Sequence, residues 1–265
     1  MSSRRARRGA ALMSLCLGLL PATACGEFSG DSVRREASQA RGGSGGGAPV
    51  VMVLGDSYTV GERGSRPEAT YAPAAARLLG WQVVTAGKAG TGFVANGTRR
   101  QKGGHTNGSG TARSVGQPFL TLFESQLGWR PAPDLLIISG GHNDRKYPAE
   151  QSGQAARELL ARAKQRWPGT QVVVIGPIWG NDTPPTTALA VRDALSAVAR
   201  ELKVPFIDPI AEQWITGNRA TGTGNAAGYI QADGVHPTIE GHRYLATRLV
   251  NDIKRLGLAH PGRKQ

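Results

Sequence analysis

The chain has 265 residues, room for one α/β domain with a substantial core and some additional sequence. Its formal charge of +13, from 32 basic and 19 acidic side chains, points to nucleic acid, an anionic membrane surface or an acidic polymer as partner classes. Aromatic residues make up only 6% and no basic block is interleaved with them, which argues against specific nucleic-acid recognition.

Residues 1–24 read as an export signal peptide. Arg4, Arg5, Arg7 and Arg8 precede an apolar core over 9–20. That core is shorter than the roughly twenty apolar residues a bilayer span needs. Ala22, Thr23 and Ala24 fit a small-x-small cleavage pattern, which places the cut before Cys25. The stretch LLPATAC resembles a bacterial lipoprotein signal. That resemblance implies a lipid on Cys25 and an anchor to the outer face of the cell membrane; simple secretion is the alternative. The paired arginines also suggest twin-arginine export, without the apolar residues that normally follow them. Loss of the signal removes four arginines and no acid, leaving +9. The two cysteines are Cys16, inside the signal core, and Cys25, at the cut. The exported domain therefore has no disulfide to stabilise it and relies on its core.

Residues 25–48 are polar and rich in Gly and Ser, with little to bury, and read as a flexible tether or a plain disordered tail. As a coil the segment spans about 25–30 Å. Residues 49–258 read as one domain, with 259–265 as a tail. Within it, apolar strands at 50–54, 82–85, 135–139, 172–175 and 204–207 alternate with helical patterns at 69–79, 119–127, 149–167, 186–202 and 238–256. This alternation predicts an α/β three-layer sandwich with a parallel sheet of about five strands. One segment, 88–114, is long and aperiodic and holds Lys88, Arg99, Arg100, Lys102 and Arg113 without an acid. Loops of this length in a compact domain are usually functional or disordered. A second glycine-rich loop covers 217–231.

The first strand runs straight into GDSYT. Ser57 there reads either as a helix N-cap or as a nucleophile beyond a strand end, where α/β proteins place their chemistry. Serine needs a neutral imidazole as base and a carboxylate to orient it. ADGVHPT, just before the last helix, supplies Asp233 and His236 three residues apart. LIISGGHND ends another strand with Asn143, whose amide can donate to an oxyanion, beside Gly141, which permits close approach. VVTAGKAGTGF ends a further strand with Gly87 and Gly90, either of which offers a backbone N–H. Asp56 and Asp144 read as turn organisers and His242 as a packing residue. His142 sits beside the better oxyanion candidate. The histidines lack metal-ligand spacing. GTRRQKGG lacks the Gly-Lys-Ser/Thr of a phosphate loop.

Taken together and in this order, GDSYT, GKAGTG, GHND and DGVHP resemble the SGNH subgroup of the GDSL esterase/lipase family, over residues 50 to about 256. The second block lacks the asparagine that often precedes its glycine. The resemblance implies a flavodoxin-like sandwich and a serine ester hydrolase. It makes Ser57 the nucleophile, His236 the base and Asp233 its orienting acid. The oxyanion hole comes from the Ser57 and Gly90 N–H groups and the Asn143 amide. No metal or organic cofactor is implied, and a monomer is expected. The substrate would be an acylated small molecule, glycan or lipid. The absence of a long apolar lid segment and the envelope location favour a short acyl chain. The basic loop, with Lys88, Arg99, Arg100 and Lys102, would bind substrate and recruit an anionic envelope component. An acyltransferase, or a non-catalytic envelope-binding module, are the competing readings.

Overall fold

The computed structural model describes residues 47–62, 65–97 and 118–262. Five parallel strands form its sheet: β1 (Val50–Gly55), β2 (Gln82–Gly87), β3 (Leu135–Ser139), β4 (Gln171–Ile175) and β5 (Phe206–Ile207). Their order is β2-β1-β3-β4-β5. The helices are α1 (Ser57–Val60), α2 (Tyr71–Leu79), α3 (Pro118–Leu122), α4 (Ala149–Arg166), α5 (Thr186–Glu201), α6 (Ala226–Tyr229) and α7 (Ile239–Arg255).

The strand residues alternate between two cores. Val51, Val53, Leu135, Ile137, Val173 and Ile175 pack with α2 and α7, through residues such as Tyr71, Leu245 and Leu249. Met52, Leu54, Leu136, Ile138 and Val174 pack instead with Phe119 of α3, Leu159 of α4 and Leu195 of α5. Strands covered on both faces read as unbroken apolar runs, and VVMVL and LLII are such runs. The result is the three-layer α/β sandwich expected.

Strand order reverses between β1 and β3, since the chain moves from β1 outward to β2 and then returns to the other side of β1. The crevice at the carboxyl ends of these two strands is where sheets of this order bind ligands. Register sets Gly55 beside both Gly87 and Ser139, so the segments after β1, β2 and β3 leave from one edge.

Local departures from the periodicity have physical causes. The helix read from residue 69 begins at Tyr71, because residues 67–69 form a 3-10 turn and Thr70 is extended as the N-cap. The strand read over 204–207 keeps only its last two residues. Lys203 takes a φ of +54°, the Val204 N–H closes onto Ala199 O, and Pro205 has no N–H to give a ladder. The helix read over 119–127 widens after Leu122 into a π turn, Phe123–Leu127, closed by Gly128 N–H on Phe123 O. The loop read over 217–231 contains α6 and a short 3-10 turn, capped by the Asn218 side chain, which accepts the Ala220 N–H.

Candidate active site

Two local features bring Ser57 to the rim. A Cβ on Gly55 would lie 2.1 Å from Thr59 Oγ1, so only glycine lets the chain fold back over the end of β1. Asp56, in extended conformation, caps α1: its carboxylate accepts the Tyr58 N–H at 3.0 Å. The N-cap is therefore Asp56, and Ser57 is the first helical residue with its hydroxyl left for another partner. Burial pushes the Asp56 carboxyl up to about 7, against the Tyr58 N–H, which favours the charged form.

That partner comes from 179 residues away. His236 Nε2 lies 3.1 Å from Ser57 Oγ, and His236 Nδ1 lies 2.7 Å from Asp233 Oδ2. Asp233 also folds the turn that carries the histidine. Its Oδ1 accepts the N–H groups of Val235 and His236, each at 3.0 Å, while Gly234 takes a φ of +72°. Partial burial opposes the charge on Asp233, but the His236 ring and these two N–H groups outweigh it and hold the carboxyl at about 2. An ionised carboxylate only accepts, so Nδ1 carries a proton, and in the neutral ring Nε2 is the nitrogen with a lone pair for the Ser57 hydroxyl. Tyr58, one residue past the serine, donates its hydroxyl to Val235 O and ties the two segments together.

The other side of the crevice is built by the segments after β2 and β3. Gly90 has a φ of +76°. The carbonyl of the next residue, Thr91, accepts a hydrogen bond from Asn143 Nδ2 at 2.8 Å. A carboxamide has two N–H groups, so this bond fixes the Asn143 side chain and leaves the second for a substrate oxygen. Asp144 is fully buried and accepts the N–H groups of Phe93, Val94 and Ala95 at 2.9–3.0 Å. A Cβ on Gly92 would come within 2.3 Å of this carboxylate. Asp144 thus organises the Gly90 loop, the structural task read from its sequence.

His142 is buried, stacks on Trp179 with ring centroids 4.5 Å apart, and meets Ile178 O through Nδ1 at 3.1 Å. Burial, helped by Arg145, pushes it down to about 4, so it is neutral at pH 7 and donates from Nδ1. His242 is buried in α7 and likewise held down to about 4 by desolvation. Lys88 is exposed at the end of β2, and its carbonyl accepts from Thr91 Oγ1. Cys25, Arg99, Arg100, Lys102 and Arg113 lie outside the described residues. Among the described residues no group of three or more His, Cys, Asp or Glu side chains is placed to hold a metal ion.

Sequence reasoning missed Glu62. Its Oε2 lies 3.2 Å from His236 Nε2, beside the Ser57 hydroxyl. No spacing signals it, since the contact depends on how the chain leaves α1.

A family model, the GDSL-like lipase/acylhydrolase family, matches residues 53–244. The GDSL lipase Rv0518 of Mycobacterium tuberculosis is 30% identical over 203 residues, covering 75% of this chain and 79% of that protein. Among solved structures, Est24, a carbohydrate acetylesterase from Sinorhizobium meliloti, superposes with a TM-score of 0.58 at 16% identity. It covers 78% of this chain and 99% of its own. The aryl esterase of M. smegmatis gives 0.55 at 18% identity, over 79% and 100% of the two chains. These two likenesses concern the fold, and the family rests on the sequence matches. By those matches the chain belongs to the GDSL-like lipase/acylhydrolase family and is a carboxylic ester hydrolase.

Proposed function

We propose that the protein is an exported serine esterase that removes short acyl groups from an envelope glycan or glycolipid through an acyl-enzyme. The carrying observation is the unbroken hydrogen-bonded run from Ser57 Oγ through His236 to Asp233 at the switch point of the sheet. In acylation Ser57 Oγ bonds to the ester carbonyl carbon as its proton passes to His236 Nε2. Asp233 holds the ring and balances the imidazolium charge. The oxyanion is met by the Ser57 and Gly90 N–H groups and the second N–H of Asn143. Nε2 then protonates the leaving alcohol. Water repeats the sequence on the acyl-enzyme, giving the free acid and restoring Ser57.

The preference for short chains is supported by the Est24 likeness, that protein being a carbohydrate acetylesterase. Fluorophosphonate labelling of Ser57, with hydrolysis of an ester panel from acetyl to long-chain and including acetylated glycans, tests both parts. Labelling at Ser57 with turnover falling as the chain lengthens is the expected result; absence of labelling refutes the nucleophile. On the same reading, the basic loop concentrates an anionic acylated substrate at the rim that Lys88 occupies. The triple variant Arg99→Ala/Arg100→Ala/Lys102→Ala is then expected to lose kcat/KM on an acylated anionic envelope extract while keeping turnover of a small neutral ester. Equal rates for both enzymes on both substrates would remove the loop from recognition.

Export and lipidation complete the proposal. Mass spectrometry of the mature protein is expected to find Cys25 as its first residue, carrying lipid, in the membrane fraction. An unmodified Cys25 in the medium would establish secretion instead.

A further inference from the structure

The general-base nitrogen faces two oxygens of different kinds. His236 Nε2 has Ser57 Oγ at 3.1 Å and Glu62 Oε2 at 3.2 Å. The first belongs to the proposed esterase chemistry, whereas the second has no part in it. With Nδ1 protonated and turned to Asp233, a neutral ring presents only a lone pair at Nε2. A carboxylate oxygen against a lone pair is repulsive. Against a protonated, positively charged ring it is an ion pair, attractive by charge. The contact therefore favours the imidazolium, with a carboxylate at each nitrogen.

We propose that Glu62 is a positioning residue that acts through His236, its carboxylate serving as a second counter-charge to the imidazolium, 3.2 Å from Nε2. This rests on the reading of His236 as the base for Ser57. Two consequences follow from one charge. In the reaction, Glu62 stabilises the imidazolium formed when the serine proton reaches Nε2, which raises the rate of acylation. In the resting enzyme it stabilises the same imidazolium before substrate arrives, which takes the base out of use as pH falls. Glu62 thus trades speed at neutral pH for earlier silencing in acid.

Other groups face this pair from each neighbouring element. Asp233 lies on the turn of His236 itself and Asp56 beneath Ser57. Tyr58 comes from α1, with its ring centroid 6.1 Å from that of His236. His142 comes from the segment after β3, with Arg145 and Lys146 acting on it in turn, and His242 comes from α7. His142 and His242 are held down to about 4 by burial and stay neutral through the relevant range. Asp56, pushed up to about 7 by burial, titrates inside that range and needs its own control. Asp56→Asn keeps the capping oxygen for the Tyr58 N–H while removing the charge.

The experiment is the pH profile of kcat/KM on 4-nitrophenyl acetate for the full chain, as wild type, Glu62→Gln, Glu62→Asp and Asp56→Asn. The Glu62 side chain is 29% exposed and that of His236 13%, so solvent screens the pair in part. The acidic limb in Glu62→Gln is expected to move to lower pH by about one unit, the lower end of what an adjacent opposite charge achieves. Its plateau should fall by several-fold, and Glu62→Asp should recover part of both changes. A merely structural role would lower the plateau and leave the limb in place. An unmoved limb in Glu62→Gln overturns the proposal, as does a shift no larger than that of Asp56→Asn. If Glu62→Gln does not fold, wild type in rising salt provides the test. Screening should carry its limb to lower pH, and a salt-independent limb overturns the proposal. Failure here leaves the esterase reading intact, whereas full activity of Ser57→Ala on the same ester would remove the reading itself.

Discussion

Ser57→Ala is expected to lower kcat for ester hydrolysis by about a millionfold, the scale seen when a serine hydrolase loses its nucleophile. The variant loses one hydroxyl and its bond to His236 and creates no cavity of consequence in either core, so its Tm should stay close to that of wild type. On the proposed roles, His236→Ala should fall almost as far, and the double variant no further, because a nucleophile and its base act as one unit. Asn143→Ala should lose less, about 10²–10³ in kcat, as for other single oxyanion donors. Its hydrogen bond to Thr91 O disappears too, so a modest fall in Tm should accompany the kinetic loss. Purified enzymes measured on one short ester, with thermal melts alongside, check the series. Retention of more than about a tenth of wild-type kcat by Ser57→Ala would defeat the assignment, since removal of a triad member has far larger effects.

Asp144→Ala is expected to have the largest effect on stability. Three buried backbone N–H groups, from Phe93, Val94 and Ala95, lose their acceptor at once. Each stranded donor costs about 1–3 kcal/mol, so a total of about 3–9 kcal/mol is expected. That is a large part of the stability of an ordinary domain. Asp144→Asn should lie between. An amide oxygen in the place of Oδ1 keeps Val94 and Ala95, but the amide nitrogen then faces the Phe93 N–H, donor against donor. Urea unfolding gives the order wild type, Asn, Ala. Because the same loop carries Gly90 and Thr91, kcat/KM should fall even at temperatures where Asp144→Asn stays folded. An Asp144→Ala protein as stable as wild type would mean that water satisfies the three N–H groups.

The sequence by itself determined the layer pattern of this protein. Residues 50–54 and 135–139 are uninterrupted apolar runs, and only a strand covered on both faces makes such a run useful. The helices over 149–166 and 239–255 announced themselves by apolar spacing, within a residue or two of their observed ends. Four short blocks in fixed order also drew attention to Ser57, Asn143, Asp233 and His236, whose hydrogen bonds the structure records. The tertiary structure decided what lies between those blocks. Whether Ser57 caps a helix or opens it turns on the backbone angles of the preceding Asp56, which a residue list does not contain. The contact of Ser57 with His236 spans 179 residues and that of Asn143 with Thr91 spans 52, so both depend on strand order and on register at Gly55, Gly87 and Ser139. Glu62 carries no periodic or motif signal. It reaches His236 because α1 lasts a single turn before Gly61, at a φ of +84°, redirects the chain along the rim. Hydrophobic periodicity is a local property of the chain and survives in one dimension. A side-chain contact across a crevice is set by where several strands end together, and that exists only once the sheet has formed.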